Sequence, residues 1–304
     1  MRILLAIPPD VHNLEIYRVA KMNVPPLGLA WIAAVLERAG HKVKILDSPT
    51  LRLTLDKFIR EVKSWKPDLV GLSLLTPLAP KGYRAVRALK EECRDIPVVV
   101  GGVHPTFMYE EALRSGADVV VRGEGEYTSL ELVEVLDRRG LDEESLKRIR
   151  GIAYKKKDGE IVATEPRPLI RNLDELPWPA RHLLPMDKYT LLGKPIRVAH
   201  VMAGRGCPYG CSYCTTSYFW GRRLRLRSAE RVAEEVEYVV DKYGAEYVVF
   251  ADDELTLDRR FVRKLLREFR DRGLDLRFAC GSRVDHLDRE LLKSLIDSGC
   301  VCLY

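Results

Sequence analysis

Arg197-Val198-Ala199-His200-Val201-Met202-Ala203 runs directly into Gly204-Arg205-Gly206-Cys207-Pro208-Tyr209-Gly210-Cys211-Ser212-Tyr213-Cys214. The first seven residues read as a short buried strand, and the glycines and proline after them bend the chain into a tight loop. Three thiols at Cys-x3-Cys-x2-Cys spacing can close round a soft metal centre. A structural zinc site wants four ligands and would draw a fourth from Cys280, Cys300 or Cys302. A cubane held by three cysteines instead leaves one iron open to a further ligand. The chain then repeats a β-then-α order. Ser228 suits the cap of a helix whose Val232, Val236, Val239 and Tyr243 share a face. Residues 247–251 form a second strand ending in Asp252-Asp253-Glu254, and residues 277–280 a third reaching Ser282-Arg283-Val284-Asp285. Residues 299–304 open a fourth. This order predicts a (β/α) barrel being laid down, with its functional groups at the carboxyl ends of the strands.

Working back toward the amino terminus, residues 1–140 carry the same alternation. Short apolar runs at 3–7, 43–46, 69–75, 98–100 and 119–121 suit buried parallel strands. Helical patterns separate them, as at Leu29, Ile32, Ala33 and Leu36 before Gly40. The alternation predicts a doubly wound parallel sheet of Rossmann or flavodoxin type, whose ligands sit outside the carboxyl ends of the strands. The loops there are Pro25-Pro26-Leu27-Gly28, Ser73-Leu74-Leu75-Thr76, Gly101-Gly102-Val103-His104-Pro105-Thr106 and Arg122-Gly123-Glu124-Gly125-Glu126. Glycine at a strand end serves a tight turn, or lets backbone approach a bulky planar ligand. The dinucleotide fingerprint G-x-G-x-x-G is missing from these turns. Residues 141–196 lose the alternation. Residues 152–163 read as a hairpin round Asp158-Gly159, and a proline-rich stretch follows, so 141–196 is expected to link the two domains.

The chain has 304 residues, 46% hydrophobic and 31% charged, which allows two domains and excludes a disordered chain. Its net charge of +6 is spread out, so nucleic acid is not expected as a partner. No apolar run is long enough for a membrane span, and the first strand ends too soon, at Pro8-Pro9, for a secretion signal. Seven cysteines at uneven spacing fit reduced thiols or a metal site in a cytoplasmic protein. Cys93, Cys280, Cys300 and Cys302 are expected as small core residues. The run Arg222-Arg223-Leu224-Arg225-Leu226-Arg227 is expected as a half-buried strand with a solvated basic face.

The cysteine loop, with an aromatic residue before its last Cys, resembles that of the radical SAM superfamily. The front half resembles the cobalamin-binding domain that precedes it in a large group of those enzymes, through 25–30, 101–106 and 122–126. The resemblance implies a [4Fe–4S] cluster on Cys207, Cys211 and Cys214, with S-adenosylmethionine on the open iron. It implies S-adenosylmethionine contacts at Tyr213, Asp252, Asp253, Glu254 and Arg283, with the carboxylate that meets the amine left open. It implies cobalamin contacts at Pro26, Leu27, Gly28, Ser73, Thr76, Gly101, Gly102, His104, Gly123, Glu124 and Gly125. No catalytic side chain is expected beyond these cofactor ligands. Asp10-Val11-His12-Asn13-Leu14-Glu15 only approaches the D-x-H-x-x-G of other corrinoid proteins, so cobalamin is expected without His12 on cobalt. The implied function is reductive cleavage of S-adenosylmethionine to a 5′-deoxyadenosyl radical, with methylation of an unactivated carbon. The alternatives are a cobalamin-bearing radical cyclase or rearrangement enzyme, and a corrinoid and zinc binding module. A reductant such as flavodoxin or ferredoxin is implied, while the substrate (small molecule, lipid or peptide) is open. Such barrels usually have six strands, so the sequence, reaching only a fourth, is expected to be a fragment of a longer enzyme with its barrel truncated.

Overall fold

The structure, a computed structural model, describes residues 1–11, 24–190, 194 and 196–304. The chain divides into two compact units, 1–169 with 177–185, and 170–176 with 186–304, apart from a short amino-terminal exchange.

The first unit is built on a seven-stranded sheet. Its strands are β1 (Arg2–Ile7), β2 (Lys42–Asp47), β3 (Leu69–Ser73), β4 (Val98–Gly101), β5 (Val119–Val121), β6 (Ile152–Lys155) and β7 (Ile161–Ala163), in the order β2-β1-β3-β4-β5-β6-β7. The first five are parallel, as their continuous apolar runs predict, and both faces are covered by helices. Phe58, Ile59 and Val62 of the helix Leu55–Trp65 and Ala85, Val86 and Leu89 of the helix Ala79–Glu92 pack on one face. Thr54 caps the first of these by accepting from the Lys57 N–H at 3.4 Å. The order reverses between β1 and β3, and a crevice at such a switch point is where doubly wound sheets bind ligands.

The hairpin β6–β7, which the sequence assigns to a linker, belongs to this sheet: β6 pairs antiparallel with β5, placing Val120 opposite Ala153. Ile152, Ala153 and Tyr154 are buried, and a strand with such residues gains more by joining the sheet than by lying on the surface.

The second unit holds a parallel four-stranded sheet, β13-β12-β11-β8, formed by β8 (Val198–Val201), β11 (Tyr247–Phe250), β12 (Phe278–Cys280) and β13 (Cys300–Leu303). Between β8 and β11 the short strands β9 (Gly204–Arg205) and β10 (Arg225–Leu226) pair antiparallel. Ser228 caps the helix Ala229–Tyr243 through the Arg231 N–H, and its Val232, Val236 and Val239 are buried. The helix Arg259–Asp271 buries Val262, Leu265, Leu266 and Phe269, whose spacing marks one helical face. Phe250, Phe269 and Phe278 meet with ring centroids 5.7–6.2 Å apart.

Two sequence expectations are corrected. Arg225 and Arg227 are 8% and 6% exposed rather than on a solvated face. Arg225 donates to the carbonyls of Ile170 (2.6 Å) and Trp220 (3.1 Å). Arg227 donates to the Met202 carbonyl (3.0 Å) and pairs with buried Glu235 at 2.5 Å. Guanidinium forks satisfied in this way can be buried where solvated charges cannot. Cys302 is exposed on β13 rather than in the core, and Cys93 is half-buried at a helix end. Cys280 and Cys300 are buried as expected.

Gly102 illustrates a fold constraint inside a suspected ligand loop. Its φ is +103°, and a Cβ there would lie 2.7 Å from the Leu74 carbonyl oxygen and 2.9 Å from the Leu74 nitrogen. Gly123, with φ +75°, has open space round it. Gly102→Ala is therefore expected to destabilise the apoprotein by roughly 2–3 kcal/mol, against about 1 for Gly123→Ala. Urea unfolding of the two variants measures the difference.

Candidate functional site

In the second unit the cysteine loop leaves β9 and returns to β10, so its two ends are stapled by a strand pair. Gly206 closes the turn: its φ is +94°, and a Cβ would lie 2.4 Å from the Arg223 carbonyl oxygen. The Cys214 N–H donates to the Cys211 carbonyl at 3.1 Å, turning the chain between the second and third cysteines. Cys207, Cys211 and Cys214 are free thiols, each half-buried. Burial pushes the Cys207 thiol up. Among the described residues no three His, Cys, Asp or Glu side chains converge as they would on a single metal ion. Three soft thiols on one bent loop are nonetheless a donor set suited to an iron–sulfur centre.

The acidic turn after β11 separates into three roles. Asp252 is buried, and its carboxylate accepts from the N–H groups of Ala203 (2.9 Å) and Gly204 (2.6 Å). It thus holds the corner where β8 turns toward the cysteine loop. Burial pushes Asp252 up to about 7, against the opposing pull of those two N–H groups and Arg227. Glu254, also buried, accepts from the Thr256 hydroxyl at 2.5 Å and from the Arg283 N–H at 2.6 Å. Asp253 is exposed and accepts from the Thr216 hydroxyl at 2.9 Å. Of the three, Asp253 retains a carboxylate open to a ligand.

Arg283, after β12, lies with its guanidinium 4.0 Å from the centroid of the Tyr209 ring and Nη1 3.9 Å from Cys211 Sγ. Asp285 holds the same guanidinium at 2.8 and 3.0 Å. Tyr213 is 88% exposed, with its ring free to stack. The structure thus brings Cys211, Tyr209 and Arg283 together and places Asp252 beneath the loop. Tyr209 and His286 are site residues that sequence reading misses. They are 77 positions apart, and only the return of β12 beside β11 brings the Tyr209 hydroxyl 2.5 Å from His286 Nε2.

In the first unit the suspected cobalamin residues share the carboxyl edge of the parallel sheet. Ser73 ends β3, Thr76 follows it, Gly101 ends β4, Gly102 and His104 follow it, and Gly123, Glu124 and Gly125 follow β5. Pro26, Leu27 and Gly28 open the helix Leu27–Arg38. Thr106 ties two of these loops, donating to the Gly102 carbonyl at 2.8 Å and accepting from the Gly123 N–H at 2.9 Å. His104 lies 3.2 Å from the Thr76 hydroxyl and 3.3 Å from a Glu111 carboxylate oxygen. Leu75, Phe107 and Met108 are exposed beside these strand ends, and Gly28 and Gly123 face open space. An apolar rim with open glycines and few fixed polar groups fits a broad planar ligand. Gly102 and Gly125 face protein instead, since a Cβ at Gly125 would lie 2.9 Å from Ile32. His12 lies outside the described residues.

The B12 binding domain family matches residues 16–133, and the radical SAM superfamily matches residues 201–304. The chain thus carries a B12-binding domain followed by a radical SAM domain. A methyltransferase of Pyrococcus horikoshii, itself uncharacterized, is 38% identical across 100% of this chain and 64% of its own length. The anaerobic magnesium-protoporphyrin IX monomethyl ester cyclase of Rubrivivax gelatinosus is 34% identical across 88% of this chain and 48% of its own. The chain thus spans between about half and two thirds of these relatives. Among solved structures, the cobalamin-dependent S-adenosylmethionine radical enzyme OxsB superposes with a TM-score of 0.77 at 19% identity, over 98% of this chain and 41% of that one. The radical S-adenosylmethionine methyltransferase TsrM of Kitasatospora setae gives 0.75 at 22%, over 99% and 58%. Both share the fold of this radical SAM chain. Among the described residues no helix is long and apolar enough to cross a membrane.

Asp252 provides a pH test. Its folded-state value of about 7 lies above the ordinary carboxylate value of 3.8, so the folded chain keeps a proton that the unfolded chain releases. The stability it contributes is full at acid pH and is lost as pH rises from about 4 through about 7, by up to ~1.4 kcal/mol per unit. Asp252→Ala leaves two backbone N–H groups unpaired, at a cost of about 3 kcal/mol. In urea unfolding, the gap between wild type and Asp252→Ala should be wider at pH 5 than at pH 8.

Proposed function

We propose that this chain bears the cofactors of a cobalamin-dependent radical SAM enzyme, most simply a methyltransferase acting on an unactivated carbon. The observation that carries the reading is the three-thiol loop at the carboxyl end of the first strand of a parallel sheet, in a chain that also has a B12-binding sheet. When bound, the [4Fe–4S] cluster supplies the electron that cleaves S-adenosylmethionine to a 5′-deoxyadenosyl radical, and cobalamin supplies the carrier for the methyl group. Cys207, Cys211 and Cys214 hold the cluster. Asp253 receives the S-adenosylmethionine amine, the one carboxylate of its turn with an oxygen to spare. Arg283 puts positive charge beside Cys211, where the carboxylate of the same ligand belongs. Tyr213 offers its exposed ring as a stacking surface. The edge built from Leu27, Gly28, Ser73, Thr76, His104 and Gly123 receives the corrin, and its apolar rim excludes water there.

The likeness to a cyclase at 34% identity supports a second reading, in which the same cofactors serve ring formation rather than methyl transfer. Either reaction needs a low-potential electron donor of flavodoxin or ferredoxin type, and a reducing cytoplasmic setting suits the free thiols.

Two measurements test the cofactors. Anaerobic reconstitution should give about four iron and four sulfide per chain. Cys207→Ala, Cys211→Ala or Cys214→Ala should remove most of this, and Cys280→Ala should not. One zinc and no iron would favour the binding-module alternative. For cobalamin, Gly28→Phe fills open space without a positive φ, so the fold should tolerate it. It should weaken cobalamin binding at least roughly tenfold, read by the visible spectrum of the retained corrinoid, with Tm little changed. Unchanged cobalamin retention would move the site away from this edge.

A further inference from the structure

Beside the cysteine loop, three side chains from three strand-end segments form a chain of polar contacts, and of these only Glu254 is implied by resemblance as a cofactor contact. Glu254 follows β11, His286 follows β12, and Tyr209 lies midway between Cys207 and Cys211. The Glu254 side chain is 1% exposed, and Oε1 lies 3.4 Å from His286 Nδ1, near enough to act on it electrostatically though outside hydrogen-bond geometry. Thr256 donates to that oxygen from its hydroxyl (2.5 Å) and its N–H (3.2 Å), while the Arg283 N–H donates to Oε2 (2.6 Å). On the far side of the imidazole, Nε2 meets the Tyr209 hydroxyl at 2.5 Å, and the two rings lie 5.4 Å apart. Ser282 extends the network, with its hydroxyl 2.6 Å from that of Thr256.

A buried carboxylate facing one nitrogen of an imidazole favours the tautomer that carries its proton there, and this leaves the other nitrogen as an acceptor. His286 is thereby prepared to accept from Tyr209. The Tyr209 ring, held at its hydroxyl, in turn supports the Arg283 guanidinium at 4.0 Å. Asp285 holds that guanidinium from its other side, so Nη1 is directed toward Cys211 Sγ. The arch between the first two cysteines is therefore fastened to two neighbouring strand ends before any metal arrives. Both Glu254 oxygens already accept strong bonds, and the carboxylate is enclosed.

We propose that Glu254 and His286 are positioning residues that hold Tyr209, and through it the Cys207–Cys211 arch and the Arg283 guanidinium, in the geometry that receives the cluster. Glu254 is thereby withdrawn from the S-adenosylmethionine amine, which falls to Asp253. The proposal rests on the cluster reading given above, but its first test does not need the cluster.

In the metal-free full chain, the rate at which iodoacetamide alkylates each cysteine, read by mass spectrometry, reports local opening of the loop. Tyr209→Phe and His286→Ala should each speed alkylation of Cys207 and Cys211 by about tenfold, with Cys280 and Cys300 staying slow. His286→Gln, whose amide oxygen can still accept from the Tyr209 hydroxyl, should restore much of the protection. Unchanged rates at Cys207 and Cys211 in Tyr209→Phe would overturn the proposal. If His286→Ala also exposes Cys280, the fold is lost in that variant, and Tyr209→Phe, which removes a single oxygen, decides.

The second test uses the reconstituted protein. The EPR spectrum of the reduced cluster should shift in Tyr209→Phe and His286→Ala. The further change on adding S-adenosylmethionine should survive in Glu254→Gln and disappear in Asp253→Asn. Loss of that change in Glu254→Gln, with alkylation rates as in wild type, would place Glu254 on the amine and refute the assignment. A wild-type chain that takes up no iron would defeat the cluster reading alone, because the alkylation result stands without it.

Discussion

Parallel strands joined by helices place all their carboxyl ends on one edge of the sheet. Both units of this chain depend on that constraint. In the first it gathers the segments after β3, β4 and β5, which are separated in sequence by whole helices, onto one rim. In the second it gathers the cysteine loop, the acidic turn and the Arg283 segment in the same way. Neither group of residues needs a dedicated scaffold. The hydrophobic pairing of Val, Ile, Leu and Phe across each sheet brings the loops together, and the loops carry the chemistry.

Within the second unit, polar groups are spent first on holding the loop and only then on a ligand. Asp252 ties the corner before the cysteines, and Arg227 holds the Met202 carbonyl and Glu235 beside it. Arg225 fastens the strand to which the loop returns. Buried charges of this kind are tolerated because each is met by donors or acceptors in fixed positions, and removing one partner strands the other. The outcome is a loop whose backbone is set by the protein, while its three thiols are joined in no disulfide.

The same economy divides the acidic triplet. Asp252, Asp253 and Glu254 are adjacent in sequence and chemically alike, yet two are enclosed and one is exposed. A residue leaving a strand end alternates between facing the sheet interior and facing outward. Asp252 and Glu254 therefore turn to protein N–H groups, and Asp253 turns to solvent and the Thr216 hydroxyl. In the first unit Gly102 makes a related point. It stands in a loop suspected of approaching a corrin, but its missing side chain makes room for the Leu74 backbone.

The sequence by itself determined the alternating architecture, the parallel direction of β1–β5 and of the second sheet, and the position of the three thiols. Each is written locally, in apolar runs of strand length, in helix caps such as Ser228, and in cysteines packed into one short loop. It also determined which loops lie at strand ends, because strand direction follows from the β-then-α order. Only the tertiary structure decided that the hairpin after β5 closes the first sheet, that Arg225 and Arg227 are buried, and that Cys302 is exposed. It alone decided which carboxylate of the acidic turn stays free, and that Tyr209 meets His286. These outcomes depend on contacts between segments far apart in the chain. A short strand or a single histidine carries no periodicity, so the partner that satisfies it appears only when the sheets have formed.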